Sequence, residues 1–470
     1  MYKLRKRLRT NILLSIFAQI VSLSASFLLG LIVPKYVEVN QYAYWQTFIL
    51  YTGYVGILHF GLLDGIVLRY SQYDYEELDK PVIRSQLAWL ALFTIVSATI
   101  CCAIALVISN APSRIVCILV GINIIVTNLF YYSTYVHQIT NEIPKYVSII
   151  IVERLTHVLL TCLLLYLGLL EFYWFCIVQI LGSCFGIFFA MKKSKDVFFG
   201  KIQSFSSSLS ELKLNISSGI RLLAANWSAM FLVGGAKTFI QWHWDLKTFG
   251  YISFSFSLTS LFLSFITAVS VVLFPALKRT SIEKLNALYP HLRTQVTVLL
   301  LLMLAMYYPV EYVLPLWLPK YTYSLKYFGM ILPIVIFTTR LSLLINNYLK
   351  SFRQEGAMFK INILTFALAI LGYIPCTYVF DSLEMVIYWA VFVIVLRSIL
   401  SELYLNKLIE IDFMKDLLFE LLICMVFMGS LYIDGRMLRV MIYLIVVVAY
   451  IFYLFISPQR RVFLLQLKGL

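Results

Sequence analysis

Three arginines lie well inside long apolar runs of this sequence, at Arg154, Arg221 and Arg340. A charged side chain near the middle of a bilayer costs roughly 2.5–3.5 kcal/mol on insertion scales, so each one needs a compensating role. A guanidinium group can hold two phosphate oxygens at once. The three residues therefore predict a hydrated, positively charged cavity for an anionic ligand, such as a diphosphate or an acidic sugar. The alternative for each arginine is snorkelling to the nearer interface, or pairing with a neighbouring carboxylate.

Acidic residues and a histidine occur in similar surroundings. Glu153 and His157 are four residues apart, so a helix would place them on one face. Asp64 lies about one helical turn from the end of another apolar run. Carboxyl and imidazole groups can both take up and release a proton. We predict that H⁺ or Na⁺ coupling passes through Glu153 and His157, or through Asp64; the alternative is a purely structural hydrogen bond between Glu153 and His157.

Two asparagines follow the deep arginines along the chain. Asn226 comes after Arg221, and Asn346 comes after Arg340. Amide groups suit sugar hydroxyls, which favours a place in the same cavity, although asparagine also joins membrane helices at about 0.6 kcal/mol per hydrogen bond. The eight cysteines lie in apolar runs without a CxxC pair, and no GxxxxGK[ST] phosphate loop occurs. We therefore expect no cofactor, no metal and no catalytic residues.

The composition indicates the kind of protein that must position these residues. Of the 470 residues, 61% are apolar and only 13% are charged, with a mean hydropathy of +0.87. A soluble domain carries about 25% charged residues, so this chain has too few charges to cover a globular surface. A cytosolic enzyme, a secreted disulfide scaffold and a disordered chain are excluded. The sequence predicts an all-α integral membrane protein with many spans.

The apolar runs predict fourteen transmembrane helices, since a spanning helix needs about 20 apolar residues and the short alternating strands of a barrel are absent from the sequence. The predicted spans are 11–34, 43–66, 85–109, 114–137, 146–170, 172–191, 215–240, 248–275, 294–318, 327–349, 357–380, 383–404, 413–433 and 437–457.

The distribution of Lys and Arg predicts the orientation. With the N-terminus inside, 27 Lys and Arg residues, Arg293 among them, fall in cytoplasmic segments and 8 fall outside. This bias follows the positive-inside rule and predicts that both chain ends are cytoplasmic. The net charge of +15 is therefore a topology signal and does not indicate a nucleic-acid partner.

A hydrophilic stretch divides the predicted spans into six and eight. Residues 192–214 are rich in serine and predict a flexible linker between two halves. An even number of spans in each half predicts parallel repeats, related by a pseudo-two-fold axis along the membrane normal. We predict an N-lobe at 1–200, a C-lobe at 201–408 and an extra helix pair at 409–470.

Three stretches resemble a known family. Residues 42–73, with Phe60-Gly61-Leu62-Leu63-Asp64-Gly65, look like the second span of bacterial polysaccharide and O-antigen flippases. These belong to the multidrug/oligosaccharidyl-lipid/polysaccharide (MOP) exporter superfamily. Residues 219–275 and 316–321 are similar to the same family, as is the layout of six, six and two spans. One departure is Ala236-Lys237, where many relatives have an acidic–basic pair.

The resemblance implies a non-enzymatic flippase of the bacterial inner membrane. Its substrate would be an undecaprenyl-diphosphate-linked oligosaccharide, moved to the outer leaflet by alternating access between two six-helix lobes. A polysaccharide polymerase and a chain-length regulator are the implied partners.

Three alternatives stay open. A membrane-embedded polymerase or glycosyltransferase is disfavoured by the short outer loops. A multidrug antiporter of the same superfamily is disfavoured by the positive deep charges. A peptidoglycan lipid flippase is not separated from the first reading by physical arguments.

Overall fold

The computed structural model describes residues 2–278, 282–410 and 413–456, and these residues form helices joined by short turns, with no strand among them. The helices are α1 Tyr2–Phe27, α2 Val33–Tyr36, α3 Val39–Tyr54, α4 Leu62–Tyr70, α5 Lys80–Val107, α6 Ala111–Ile139, α7 Ile143–Leu167, α8 Phe172–Lys193, α9 Lys195–Phe198, α10 Phe205–His243, α11 Leu246–Lys278, α12 Ile282–Ala305, α13 Tyr307–Trp317, α14 Ser324–Ile331, α15 Pro333–Arg340, α16 Asn346–Ser351, α17 Glu355–Tyr378, α18 Leu383–Ile409, α19 Met414–Ser430 and α20 Arg436–Ile456.

Eleven helical segments of the described chain are long and apolar enough to cross a membrane. They are Ile16–Tyr36, Lys80–Val107, Ala111–Ile139, Ile143–Leu167, Phe172–Lys193, Phe205–His243, Leu288–Trp317, Ser324–Ser351, Glu355–Tyr378, Leu383–Ile409 and Arg436–Leu454. The bent pair Val39–His59 and Leu62–Tyr70 makes twelve if it forms one span. The predicted all-helical membrane architecture is confirmed, whereas the count of fourteen stays a prediction. The predicted spans at 248–275 and 413–433 overlap α11 and α19 but are not among the eleven.

Local sequence signals set the helix ends. The side chains of Asp79, Asn110 and Ser204 accept hydrogen bonds from the first turns of α5, α6 and α10. These residues occupy the capping position that short polar side chains favour. Helix α7 ends before Gly168, which takes a left-handed conformation with φ of 69° that a glycine adopts without steric cost. The apolar runs therefore carry their own start and stop signals.

The bent pair Val39–His59 and Leu62–Tyr70 is broken at Phe60 and Gly61. Phe60 (φ 52°) and Gly61 (φ 86°) are both left-handed, and α4 leaves the axis of the preceding helix at 60°. A left-handed pair cannot continue a right-handed helix, so the break has a definite backbone cause.

The chain separates into two compact units, Met1–Ser253 and Phe254–Leu470. In unit 1, α5 pairs with α6, α7 pairs with α8, and α4 packs along α10. An apolar cluster that includes Leu62, Ile83, Leu90 and Tyr132 fills the space among α4, α5 and α6. The structure places α10 in unit 1, which ends at Ser253, and the predicted lobe boundaries at 200 and 408 stay a prediction.

In unit 2, α17 and α18 form a hairpin, and α18 also packs against α14 and α15. Helix α12 contacts both α15 and α20, and α19 contacts α20. The segment Ser324–Ser351 contains a π-helical turn at Leu341–Ile345 and is the most enclosed of the eleven segments.

The serine-rich stretch that we predicted as a flexible linker is instead folded onto unit 1. Val197 and Phe198 are buried, and Arg84 donates a hydrogen bond of 2.8 Å to the carbonyl of Lys201. The hydroxyl of Tyr75 donates a hydrogen bond of 2.8 Å to Asp196. Burial is the main cause that raises the pKa of Tyr75 above its usual range, and this hydrogen bond adds to it. The serines from Ser206 onward lie inside α10, which begins at Phe205. The prediction of a flexible linker was wrong because the burial of Val197 and Phe198 and the Ser204 cap of α10 order this stretch despite its serine-rich composition.

Candidate functional site

The predicted site residues of α7 are Glu153, Arg154 and His157, and their side chains differ in exposure to solvent. Glu153 is buried, while the side chain of Arg154 is 40% exposed, with its Nε 3.2 Å from Oε2 of Glu153. His157 lies one turn further on and is buried, and neither of its ring nitrogens has a hydrogen-bond partner among the described residues. The structural hydrogen bond between Glu153 and His157 is therefore not formed. What remains is an ion pair beside an unbonded, buried imidazole.

The backbone of α8 covers this cluster. A Cβ on Gly182 would lie 3.1 Å from Cβ of His157, and a Cβ on Gly186 would lie 3.2 Å from Cβ of Glu153. Both positions therefore allow α8 to approach closely enough to exclude solvent from the two side chains. The Gly182-x-x-x-Gly186 spacing, typical of close helix packing in membranes, is the sequence signal that our prediction did not use.

Asp64 has a partner that the sequence did not single out. His59 lies at the end of the helical segment before the break, and its Nδ1 accepts a hydrogen bond of 3.1 Å from the backbone N–H of Gly61. In the neutral ring the proton is then on Nε2, which lies 3.7 Å from Oδ2 of Asp64. The break in the helix thus brings an imidazole and a carboxyl group together, and both are buried.

Helices α4 and α10 touch backbone to backbone. A Cβ on Gly219 would lie 2.0 Å from the carbonyl oxygen of Gly61 and 2.3 Å from the backbone nitrogen of Gly65. A Cβ on Gly65 would lie 1.9 Å from the carbonyl oxygen of Asn215. No side chain fits at these distances, so glycine is required at all three positions. We call Gly61, Gly65 and Gly219 the glycine crossing.

Polar side chains bind the two helices together beside the glycine crossing. Arg69 donates a hydrogen bond of 2.6 Å to Oδ1 of Asn215 and forms an ion pair with Glu211. The hydroxyl of Tyr70 also donates to Glu211. The contact therefore combines close backbone packing with a partly buried charge pair.

Arg221 lies on the other side of α10. It is two residues beyond Gly219, about 200° around the helix, and its side chain is exposed. Asn226 is also exposed but lies about 140° from Arg221, so the two do not share a face of α10. The ring of Trp227 contacts those of Phe231 and Tyr54, with centroids 5.3 and 6.5 Å apart. The structure thus leaves the Arg221 guanidinium accessible, but does not pair it with Asn226.

A different arrangement surrounds Arg340 in unit 2. Nε of Arg293 lies 2.5 Å from Oε1 of Glu402, and its Nη1 lies 2.8 Å from Oε1 of Glu420. Arg340 lies 3.3 Å from Glu402 and also contacts Glu420. Asp416 is 3.9 Å from Arg293. We call these five residues the buried ion network; they join α12, α15, α18 and α19.

The network has no open face for a ligand. The side chains of Arg340 and Glu420 are fully buried, and that of Arg293 is 1% exposed. Three carboxylates face two guanidinium groups, so the charges of both arginines are already compensated. This geometry corresponds to the pairing alternative for Arg340, and its role in a ligand cavity stays a prediction. Asn346 is half-buried and is separated from Arg340 by the π-helical turn.

Most of the network was missed in the sequence. The predicted topology places Arg293 in a cytoplasmic segment and gives no role to Glu402 or Asp416. The available signal was a Glu in each of two apolar runs, at Glu402 and Glu420, because an unpaired carboxylate at such a place is costly. Among the described residues, no group of three or more His, Cys, Asp or Glu side chains could hold a metal ion.

Comparison with solved structures gives the fold family. The lipid II flippase MurJ in an inward closed conformation aligns with 94% of this chain and 98% of its own length, with a TM-score of 0.67 and 15% identity. An inward-facing multidrug resistance MATE family transporter of the MOP superfamily covers 84% of this chain and 94% of its own, with a TM-score of 0.60 and 12% identity. A MOP superfamily transporter from Pyrococcus furiosus covers 85% and 95%, with a TM-score of 0.52 and 11% identity.

These likenesses include at least 84% of this chain and 94% of each solved structure, and they show that this protein has the fold of MOP superfamily transporters. No family model matches the sequence, and no curated protein matches it.

Proposed function

We propose that this protein is a flippase that moves an undecaprenyl-diphosphate-linked oligosaccharide from the cytoplasmic to the outer leaflet of the bacterial inner membrane. Both chain ends would be cytoplasmic, as the distribution of Lys and Arg predicts. The observation that carries the proposal is the fold likeness to the lipid II flippase, which includes 94% of this chain. That protein's name describes the same kind of task, the transfer of a lipid-linked sugar between leaflets.

The accessible arginines support an anionic lipid as the substrate. Arg221 is exposed on α10, and Arg154 is partly exposed on α7 with one carboxylate partner. A diphosphate carries several anionic oxygens, which a guanidinium group can bind in pairs. A cationic drug would be repelled by the same groups, so the proposal favours a lipid diphosphate over a multidrug substrate. Asn226 would contact the sugar from another face of α10.

Ion coupling is assigned to the buried titratable groups of unit 1. Glu153 and His157 on α7 are enclosed by α8, and Asp64 faces His59 at the break before α4. Each group could exchange a proton when a conformational change opens its surroundings to water. Alternating access would require the contact between α4 and α10 to open and close. The polymerase and the chain-length regulator are proposed as partners on the resemblance alone.

A peptidoglycan lipid flippase is the second candidate. It is favoured by the alignment with the lipid II flippase, which includes more of this chain and has a higher TM-score than the MATE alignment. Both candidates would bind a diphosphate, and they differ in the sugar attached to it. The arginines therefore do not separate the two, and the test must compare headgroups.

The deciding experiment compares bacteria with and without this gene. Lipid-linked sugars are extracted from both strains, and the membrane face on which they occur is determined with an impermeant sugar-modifying enzyme. We expect complete oligosaccharide units trapped on the cytoplasmic face, with surface polysaccharide lost. Lipid II trapped there instead would favour the second candidate. Units that reach the outer face but stay unpolymerised would overturn both candidates and indicate an enzyme.

The anion-binding step is tested with the purified protein in phosphatidylcholine vesicles that contain the lipid-linked oligosaccharide. Arg221→Gln should lower the rate of transfer at least tenfold, since a charge-assisted bond to phosphate contributes about 1.5–3 kcal/mol. Lys213→Gln is the matched control, because Lys213 is another exposed basic residue of α10, close to its beginning. Equal rates for the two variants would remove Arg221 from the proposed site.

A further inference from the structure

Unit 1 contains a cavity that has no role in the proposed function. It has a volume of about 450 Å³ and lies between α3, α5 and α6, near the ends of α5 and α10. Its lining includes Tyr51 and Tyr54 from α3, Cys101 from α5, and Val116 and Val120 from α6. With the N-terminus inside, this end of the helices is the outer one. The volume lies within the range of small-ligand sites, about 300–1,000 Å³.

Three hydroxyl groups of the lining, those of Thr47, Tyr51 and Tyr54, are already bound by the protein. Tyr51 donates a hydrogen bond of 2.6 Å to Oε1 of Gln241, and Nε1 of Trp242 donates to Tyr51 at 3.1 Å. Tyr54 and Thr238 share a hydrogen bond of 2.9 Å. The hydroxyl of Thr47, which also lines the cavity, donates to the carbonyl of Ala43 at 2.9 Å. These hydroxyls are therefore engaged, and a polar ligand would have to break such bonds to gain its own.

What the cavity offers is apolar surface. Besides the tyrosines, the lining includes the aliphatic side chains of Ile57, Leu58, Val116 and Val120. Sugars need unengaged donors and acceptors, and phosphates need positive charge, whereas no Lys or Arg belongs to the lining. The lining therefore matches a ligand without polar groups.

The surroundings of the cavity supply such a ligand. Ile108 belongs to the lining and directly follows α5, whose last residue, Val107, is 84% exposed. Ile104 and Leu106 of the same turn region are also exposed. In a membrane-crossing helix, exposed aliphatic residues of this kind face lipid chains. Hydrocarbon chains thus lie next to the cavity wall.

We propose that the cavity binds a flexible hydrocarbon chain of a lipid from the outer leaflet. The chain could come from a bulk phospholipid or from the isoprenoid tail of a carrier lipid, which have the same chemistry at this surface. The inference does not depend on the proposed function, because it rests on the lining and on its position in the spans. It adds a lipid-tail site to a protein whose proposed substrate site binds a charged headgroup.

The test uses photoreactive lipids and the full-length protein. The protein is reconstituted in phosphatidylcholine vesicles that contain either a diazirine-acyl phosphatidylcholine or a diazirine-labelled polyprenyl phosphate. After illumination, labelled residues are located by mass spectrometry. Labels on the exposed side chains of Leu106 and Val107 provide an internal measure of contact with bulk lipid. We expect additional labels on Tyr51, Val116 or Val120, which line the cavity.

Filling the cavity should remove only the second set of labels. Val120→Phe places a larger side chain in the lining, and should reduce cavity labelling by about tenfold relative to Val107, since a filled cavity leaves no space for a chain. Ile122→Phe is the matched control, because Ile122 is on the same helix but 44% exposed and outside the lining. Val116→Phe serves as a second filling variant if Val120→Phe does not fold.

Each outcome decides one part of the inference. Cavity labelling by the acyl probe alone identifies bulk phospholipid as the source, and labelling by the polyprenyl probe alone identifies the carrier lipid. Both results support a hydrocarbon-chain site. Labels confined to Leu106, Val107 and similar exposed residues with both probes would overturn it, as would cavity labelling that neither filling variant reduces. The transfer assay is not used here, so failure of this inference leaves the proposed function standing.

Discussion

The two units of this protein use buried charge in different ways. In unit 1, Arg154 keeps 40% of its side chain exposed beside one carboxylate, and Arg221 is exposed. In unit 2, Arg293 and Arg340 are buried among Glu402, Glu420 and Asp416. A buried guanidinium group whose charge is already balanced by neighbouring carboxylates has little attraction left for an anionic ligand. The ion pairs of Arg293 and Arg340 thus join helices of unit 2, whereas Arg154 and Arg221 in unit 1 keep guanidinium surface accessible, as the proposed anion binding requires.

The units also differ in what joins their helices. The glycine crossing brings α4 and α10 together without intervening side chains, so the contact depends on shape. The buried ion network joins four helices through long side chains, so that contact depends on charge balance. The ion pair beside the glycine crossing, Arg69 and Glu211, keeps 29% and 19% of its side chains exposed, so water can replace either partner when the helices separate. The buried ion network has no such access to water. We therefore expect conformational change to occur at the first and not at the second.

The largest effect is expected from Glu420→Gln. This change keeps the side-chain size but removes the carboxylate that Arg293 and Arg340 share, which should cost about 3–5 kcal/mol of stability. Glu384→Gln is the control, because Glu384 pairs with Lys326 where both side chains are well exposed, and such pairs contribute about 0–1 kcal/mol. Thermal unfolding in detergent measures both. Similar losses for the two variants would contradict the structural role of the network.

A smaller loss is expected from Gly219→Ala. The added Cβ would overlap the backbone of Gly61 and Gly65, and should separate α4 from α10 at a cost of about 1–3 kcal/mol. Gly53→Ala is the control, since a Cβ at Gly53 would meet nothing within 4 Å. Hydrogen exchange of α4 and α10 reports the separation directly. Unchanged protection of both helices in Gly219→Ala would show that the crossing tolerates side chains.

The smallest effect on stability, but a clear effect on rate, is expected from Glu153→Gln. The variant should be expressed at normal levels yet transfer substrate more slowly, because the coupling ion loses its carboxylate. The transfer rate in vesicles is measured across a pH series. Glu171→Gln is the control, as Glu171 lies exposed before α8. A rate equal to that of the unchanged protein at every pH would remove Glu153 from the coupling pathway.

The sequence predicted the membrane architecture better than the contacts between helices. Apolar runs were sufficient to place most of the membrane-crossing helices, since this signal is local. Whether Arg340 faces a ligand or Glu420 depends on packing between segments eighty residues apart, which no local pattern specifies. Arg293 was assigned to a cytoplasmic segment because its immediate neighbours are polar, while its partners Glu402 and Glu420 are distant along the chain. The glycine crossing was visible only as a common Gly-x-x-x-Gly spacing.

The buried ion network has a consequence for the order of synthesis. Arg293 and Arg340 leave the ribosome before Glu402, and Glu420 follows last. Until α19 has joined the network, two guanidinium groups must share a single glutamate on α18. In a chain truncated after residue 409, the charges of Arg293 and Arg340 would therefore be only partly balanced by Glu402. The last helix pair is in this sense a requirement for completing unit 2, and a shortened chain should be degraded and not accumulate.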